Sequence, residues 1–431
     1  LLLFAVSIRG VALFALHPQL QADPDAYRQI ADNLLVRGSF ALDLPAQAER
    51  GADDEVACQP TAYRPPLYPT LLALANLGLA EVSLVRVAIL HWLMGVGTVM
   101  LTFLVAQRFG LGWGAYGAAA LVGCDPILLN QSALVMTETL ATLLAVAALY
   151  TWLRLLDAPR VTSAVVLGIA LGLAGLCRPT FLPWLAMLLL LLLLFRSKVI
   201  SDSTWRARFV LAAAVAVATT VVLSPWIVRN QIAFGKPIVT TTHGGYTLLL
   251  GNNPSYYRYL QEGKSDLPWP ADDPEFQQLL PGPAPPLSDE LAYDAATKRL
   301  AVETIQDQPS VFVRASIGRV AQFWSPLANR TSEKESRARS LLRYATCAWY
   351  LLVFALAIIG LVRLGNRRWS VGWLGALSLC VCFTLMHSVY WSNLRMRAPV
   401  MPVVALLAGA GIVSLVGRQK LPLSGNPQPP A

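Results

Sequence analysis

Charge is what this sequence has least of. Of its 431 residues only 14% are Asp, Glu, Lys or Arg, against about 25% in soluble globular chains. That deficit argues against an ordinary water-soluble domain. Histidine is scarce too, and His17, His91, His243 and His387 are scattered without ligand spacing,. No HExxH, CxxC pair, Walker loop or G-x-S-x-G occurs, so zinc hydrolysis, P-loop chemistry and serine-hydrolase chemistry find no support. Cys58 alone among six cysteines is clearly in a polar stretch; Cys124, Cys177, Cys347, Cys380 and Cys382 mostly fall in apolar runs. No disulfide framework is implied, and such cysteines act as small hydrophobes.

What is present is apolar length. The chain is 55% hydrophobic, and about 20 apolar residues of helix cross a hydrocarbon core. Spans are expected near 1–16, 84–106, 113–130, 136–155, 162–177, 181–195, 209–227, 342–362, 369–390 and 398–416. No signal peptide with a cleavage site is visible, and residue 1 already lies in an apolar run, so the first span is expected to be clipped at its start. The expected architecture is an α-helical polytopic integral membrane protein with about 10–11 transmembrane helices and a small mixed extracytoplasmic lobe. It divides into an N-terminal membrane module (1–227, with a first outer loop at 17–83), the lobe (228–341) and a C-terminal membrane module with a short tail (342–431).

The net charge of +9 does not require nucleic acid, because the basic residues sort by side. On one side the short loops hold Arg108, Arg154, Arg160, Arg196, Lys198, Arg206, Arg208, Arg363, Arg367, Arg368, Arg418 and Lys420; on the other they hold Arg178, Arg395 and Arg397. The positive-inside rule then makes both termini cytoplasmic and places 17–83 and 228–341 outside. The stretch "PPLYPTLLALANLGLA" at 65–80 would invert that bias if it spanned. It is expected to be a juxtamembrane or re-entrant helix opened by Pro-Pro. Arginine greatly outnumbers lysine, which hints at a GC-rich bacterial source.

The first outer loop opens "QADPDAYRQIADNLLVRGSF". Asp23 and Asp25 read either as a solvated pair capping a helix closed by Gly38, or as chemistry. In the lobe, "IVTTTHGGYTLLLGNNP" joins a β-branched run to Gly244 and Gly245, a turn signal,. Ser288 is expected to cap the helix that follows, with Asp289 and Glu290 at its positive end, and Pro309 separates it from a second amphipathic helix. Arg64, Arg178, Arg229, Arg395 and Arg397 stand at outer boundaries, where snorkelling is the ordinary reading and lipid phosphate the functional one,. Glu138, in "LVMTETLATLL", sits at the outer mouth of another helix. Acids and arginines converging on one face suggest a single site.

Taken in order, "DPDAYRQIADNLLVRGSF", "YRPPLYPTLLAL", "MTETLATLL", "RPTFLPWL", "SPWIVRNQIAFGKPIVTTTHGGYTLLLGNNP" and "RMRAPVMPVVALLAGAG" resemble the polytopic GT-C glycosyltransferases of the protein-mannosyltransferase and aminoarabinose-transferase kind, across essentially the whole chain. The resemblance implies an inverting transferase that moves a sugar from a polyprenyl-phosphate donor to an extracytoplasmic acceptor: lipid A, another glycan, a lipid or a protein. It implies a site on the outer face of a bacterial cytoplasmic membrane. Asp23 matches the family's leading acid by its distance to Tyr27, while Pro24 replaces the second acid and Asp25 comes one residue late. Arg64 matches the family's basic residue before Pro-Pro, and Arg178, Arg395 and Arg397 are expected to join it at the donor phosphate. Tyr27, Tyr63, Glu138, Arg229, Asn252 and Asn253 are expected to support the site. No cofactor is implied; a divalent ion near Asp23 and Glu138 is compatible, though no spacing demands one. The rival readings are a transporter or flippase and a non-catalytic assembly subunit, but neither a repeat nor a mid-span acid supports transport.

Overall fold

The computed structural model describes residues 1–44, 57–194, 205–262, 267–330 and 334–416. Arg196, Lys198, Arg418 and Lys420 lie outside these. The N-terminal half comprises α1 (Leu2–Leu16), α2 (Tyr27–Arg37), β1 (Ala41–Asp43), β2 (Cys58–Pro60), α3 (Leu67–Ala75), α4 (Leu84–Arg108), α5 (Gly114–Gly123), α6 (Pro126–Gln131), α7 (Glu138–Asp157), α8 (Val161–Cys177) and α9 (Phe181–Leu194). The long α10 (Trp205–Phe234) leads to a lobe of α11 (Gly244–Gly251), α12 (Pro254–Glu262), α13 (Pro274–Leu279), α14 (Glu290–Asp307) and α15 (Pro309–Phe323). Helices α16 (Arg337–Arg363), α17 (Val371–Val389) and α18 (Met401–Val416) close the chain, with a 3₁₀ turn at Leu394–Val400 leading into α18.

The protein is an integral membrane protein. Seven helices of the described residues are long and apolar enough to cross a bilayer, and α5, α8 and α9 are shorter apolar helices. Leu3, Phe14, Val217 and Ile232 are exposed on helix surfaces, an arrangement suited to lipid rather than water. Small residues let several pairs approach closely, as is usual between membrane helices. A Cβ on Gly168 or Gly172 of α8 would collide with α10, and one on Gly360 of α16 would collide with the Leu407 carbonyl of α18.

Each of the ten expected spans coincides with helix, with one correction. The run 113–130 is two helices, because Pro126 cannot extend α5 and Asp125 caps α6 through Leu128 N–H,. Buried Arg9 of α1 donates to the Val122 and Leu128 carbonyls, 2.8 and 3.0 Å away, which satisfies polar backbone at the break. The 65–80 segment forms nine-residue α3, about 13 Å long and too short to span.

Two further expectations change in the loops. The lobe is helical rather than mixed: among the described residues the sheet is the antiparallel pair β1–β2 in the first loop, with Ala41 opposite Pro60. Gly244 and Gly245, expected at a turn, instead begin α11. Gly245 is needed because a Cβ there would collide with the Asp294 carbonyl of α14. The cap of α14 is Asp289, which accepts Ala292 N–H at 2.8 Å, while Ser288 Oγ has no partner.

Candidate active site

The loops assigned to one side by charge meet at one end of the bundle. Around a cavity of about 1010 Å³ stand residues from the α1–α2 connection, the start of α3, the α6–α7 and α8–α9 turns, α11, α14 and the α17–α18 connection. The opposite end carries the Arg108–Asp157 ion pair and Arg367, which donates to Phe109 O at 3.0 Å.

Asp23 and Asp25 separate at a strained turn. Asp23 Oδ2 accepts Arg28 and Gln29 N–H at 2.9 and 3.1 Å, capping α2, which Gly38 closes at φ +62°. Burial pushes the Asp23 carboxyl up, against the pull of those N–H groups. Asp23 therefore serves the helix and does not line the cavity. Ala26, at φ +57°, carries a backbone cost of about 1–3 kcal/mol. Before it, Pro24 and Asp25 face the cavity. Asp25 Oδ1 lies 2.7 Å from Arg64 Nη2, and Arg64 Nε donates to the Asp25 carbonyl at 3.0 Å. The Arg64 guanidinium packs between Tyr63 and Tyr27, 5.1 and 5.7 Å from their ring centres. Of the two aspartates expected at the site, Asp25 lines the cavity, and Asp23 lies behind it with Oδ1 buried and without a hydrogen-bond partner.

A second charged group lies deeper. Glu138 is fully buried at the start of α7, 2.8 Å from Arg178 Nη2 and 3.6 Å from Arg395 Nε. Neither carboxylate oxygen has hydrogen-bond geometry, so these contacts are ion pairs without aligned bonds. Arg178 Nε donates to Thr137 Oγ1 at 2.8 Å. Arg178 and Arg395 both line the cavity. Tyr27 stands within electrostatic reach of both ion pairs, and burial pushes its phenol up. Three guanidiniums against two carboxylates leave a positive excess, suited to an anion.

Four sequence candidates lie elsewhere. Arg397 is fully buried behind the cavity, donates to Phe323 O and Ser325 O at 3.2 and 2.5 Å, and stacks on Tyr350. Arg229 donates to Thr61 O and Phe40 O at 2.7 and 2.6 Å, pinning the first loop to α10. Asn252 donates to Leu248 O and Val389 O, and Asn253 accepts Tyr256 N–H at the start of α12. The cavity also holds residues the sequence did not single out, notably His243, Tyr246, Tyr293, His387 and Trp391. A His-Gly-Gly-Tyr run beside a polar turn was the available signal for the first two. As for a metal, no three His, Cys, Asp or Glu side chains group together among the described residues. Asp23 Oδ2 accepts two backbone N–H groups and Glu138 faces two arginines.

Residues 63–228 match the family described as dolichyl-phosphate-mannose-protein mannosyltransferase, beginning at Tyr63 and Arg64 of the site. No curated protein matches the chain. Among solved structures, it is similar to the oligosaccharyltransferase AglB of Archaeoglobus fulgidus in complex with an inhibitory peptide and a dolichol-phosphate, at 14% identity and TM-score 0.54. That superposition covers 96% of this chain and 50% of that one, so the chain spans about half the length of the relative it matches. The apo form of the same enzyme gives TM-score 0.51 at 14% identity, covering 95% and 50%. ArnT of Cupriavidus metallidurans bound to undecaprenyl phosphate gives 0.42 at 14% identity, covering 95% and 77%. By its fold the chain is a polytopic membrane protein similar to the AglB oligosaccharyltransferase, and its residues 63–228 match the protein-mannosyltransferase family.

Proposed function

We propose that this protein is an inverting glycosyltransferase that moves a sugar from a polyprenyl-phosphate donor to a hydroxyl acceptor on the outer side of a bacterial cytoplasmic membrane. The observation that carries this reading is the placement of Asp25, held by Arg64, beside the Glu138–Arg178–Arg395 cluster in one cavity. The family match is named for a polyprenyl-phosphate sugar, and the AglB structure contains dolichol-phosphate; both favour the same donor class. The sorting of basic residues supports the outward orientation.

The chemistry needs one base and positive charge. Asp25 accepts the proton of the acceptor hydroxyl as its oxygen attacks the anomeric carbon. The bond from that carbon to the phosphate oxygen breaks on the opposite face, inverting configuration, and polyprenyl phosphate leaves. Arg178 and Arg395 match the charge developing on the phosphate, a preorganised electrostatic contribution. A positioned base contributes about 10²–10⁴-fold. Because the phosphate is already a good leaving group, no general acid is required.

Incubating the purified protein with a radiolabelled polyprenyl-phosphate sugar and following donor consumption tests the reading. Turnover that disappears in Asp25→Asn is expected. An Asp25→Asn variant that turns over normally, or lipid movement between leaflets without donor cleavage, would overturn it in favour of a different base or of transport.

A further inference from the structure

Beyond Asp25, on the lobe side of the cavity, stands a wall of neutral aromatic side chains brought together from three segments. Tyr63 comes from the first loop, His243 and Tyr246 from the start of α11, and Tyr293 from α14. Tyr63 and His243 meet edge to face with ring centres 4.3 Å apart; His243 and Tyr246 lie at 5.2 Å, and Tyr246 and Tyr293 are stacked at 6.5 Å. Resting on the reaction just proposed, we infer that this wall is the acceptor subsite and that it takes a neutral saccharide.

Position decides the first half. Arg64 bridges the two regions, paired with Asp25 and packed on Tyr63, whereas Arg178 and Arg395 lie with Glu138. In an in-line displacement the attacking hydroxyl approaches from the side opposite the leaving phosphate and beside the base. A group held on the aromatic wall is next to Tyr63 and the Arg64–Asp25 pair, and Arg64 is the charge that His243 and Tyr246 feel.

Chemistry decides the second. Tyr293 is 3% exposed and its hydroxyl has no partner in the protein; His243 Nδ1 has none either. Unpaired polar atoms in a buried wall are costly, and a polyol supplies both donors and acceptors for them. Burial and the nearby Arg64 hold His243 neutral, well below its ordinary value. The lobe residues lining the cavity, 240–250, 277–284 and 293, include no Asp, Glu, Lys or Arg among those that face it. A phosphorylated or strongly acidic acceptor would find no guanidinium there apart from Arg64. An extended peptide would find no strand edge to pair with, since β1 and β2 do not line the cavity,. The wall is also rigidly built. Glu290, one turn before Tyr293 on α14, accepts from Thr61 Oγ1 and Ala62 N at 2.8 Å each and from Thr242 Oγ1.

The test is isothermal titration of the purified protein in nanodiscs with maltose, mannobiose and a serine/threonine-rich peptide, and separately with undecaprenyl phosphate. A neutral disaccharide should bind and the peptide should not. Tyr293→Phe, which keeps the ring and removes the free hydroxyl, should weaken the saccharide about 5- to 10-fold, as loss of one neutral hydrogen bond predicts. Undecaprenyl phosphate affinity should stay unchanged. Tyr246→Phe serves the same purpose if the first variant fails to fold. Absence of saccharide binding, peptide binding instead, or saccharide affinity indifferent to both substitutions would overturn the subsite. Saccharide binding without undecaprenyl phosphate binding would sink the proposed reaction and leave the subsite standing; the reverse result would sink the subsite alone.

Discussion

The guanidinium of Arg397 lies 4.1 Å from the ring centre of Tyr350, whose hydroxyl donates to Asp125 at 2.8 Å. Arg397 also holds two carbonyls at the end of α15. The 3₁₀ turn that carries Arg395 is thereby fixed to both the lobe and the membrane bundle. Two arginines separated by one residue thus have different work, one facing the cavity and the other fastening the turn.

That division predicts opposite mutant signatures. Arg395→Ala should raise the donor KM with little change in thermal midpoint, since its side chain is 34% exposed. Arg397→Ala strips buried carbonyls of their donor and should cost about 1–3 kcal/mol per orphaned group. Thermal unfolding and initial-rate kinetics on the same preparations check the contrast.

The two aspartates should also part. Asp25→Asn should lower transfer by about 10²–10⁴-fold while polyprenyl-phosphate binding persists. Asp23→Ala should instead lose a helix cap worth about 0.5–2 kcal/mol, seen as a lower melting temperature with residual turnover. The reverse pattern would restore Asp23 as the base.

Among the described residues, Glu138 is the one acid in ion-pair contact with Arg178 and Arg395. Glu138→Ala leaves buried positive charge unpaired, at a cost of about 3–5 kcal/mol. Added undecaprenyl phosphate should raise the melting temperature of this variant more than that of the wild type, because the ligand anion replaces the lost carboxylate. Equal increments in both proteins would show that the phosphate binds elsewhere.

Burial pushes Glu290 above the ordinary carboxylate range, opposed by its bonds from Thr242, Thr61 and Ala62. A raised folded-state value means the folded protein binds the proton more tightly. The associated stability is fully present below the unfolded pKa of about 4.3 and declines as pH rises through the folded value. Glu290→Gln should remove this contribution. The melting-temperature difference between variant and wild type should therefore change between acidic and neutral pH and level off above the folded pKa.

The bilayer made the helices legible. Its thickness imposes a minimum apolar length, so runs such as 84–106 and 342–362 announce themselves, and the sorting of arginines gives their direction. Within that frame the Asp125-Pro126 break was readable from residue chemistry, yet a hydropathy run conceals it. Three details were not legible because backbone geometry creates them. The left-handed turn at Ala26 decides which aspartate meets the cavity. The facing of a 3₁₀ turn decides between Arg395 and Arg397. A near contact between α11 and α14 explains Gly245, which in sequence reads as a turn. The place of His243 in the wall stayed hidden because Tyr63, which it meets edge to face, is 180 residues away in the chain.

Helix α10 runs for 30 residues, about 45 Å at 1.5 Å per residue, whereas a hydrocarbon core is about 30 Å thick. Its last turns carry Arg229, whose bonds to Phe40 and Thr61 hold the first loop beside Tyr63 and Arg64. On the proposed reading, the helix therefore acts as a ruler that sets how far the first loop, with Arg64 and Asp25, stands from the lipid tails. Lengthening or shortening it by one turn would shift that distance by about 5 Å, enough to part the base from a headgroup anchored by its own chain.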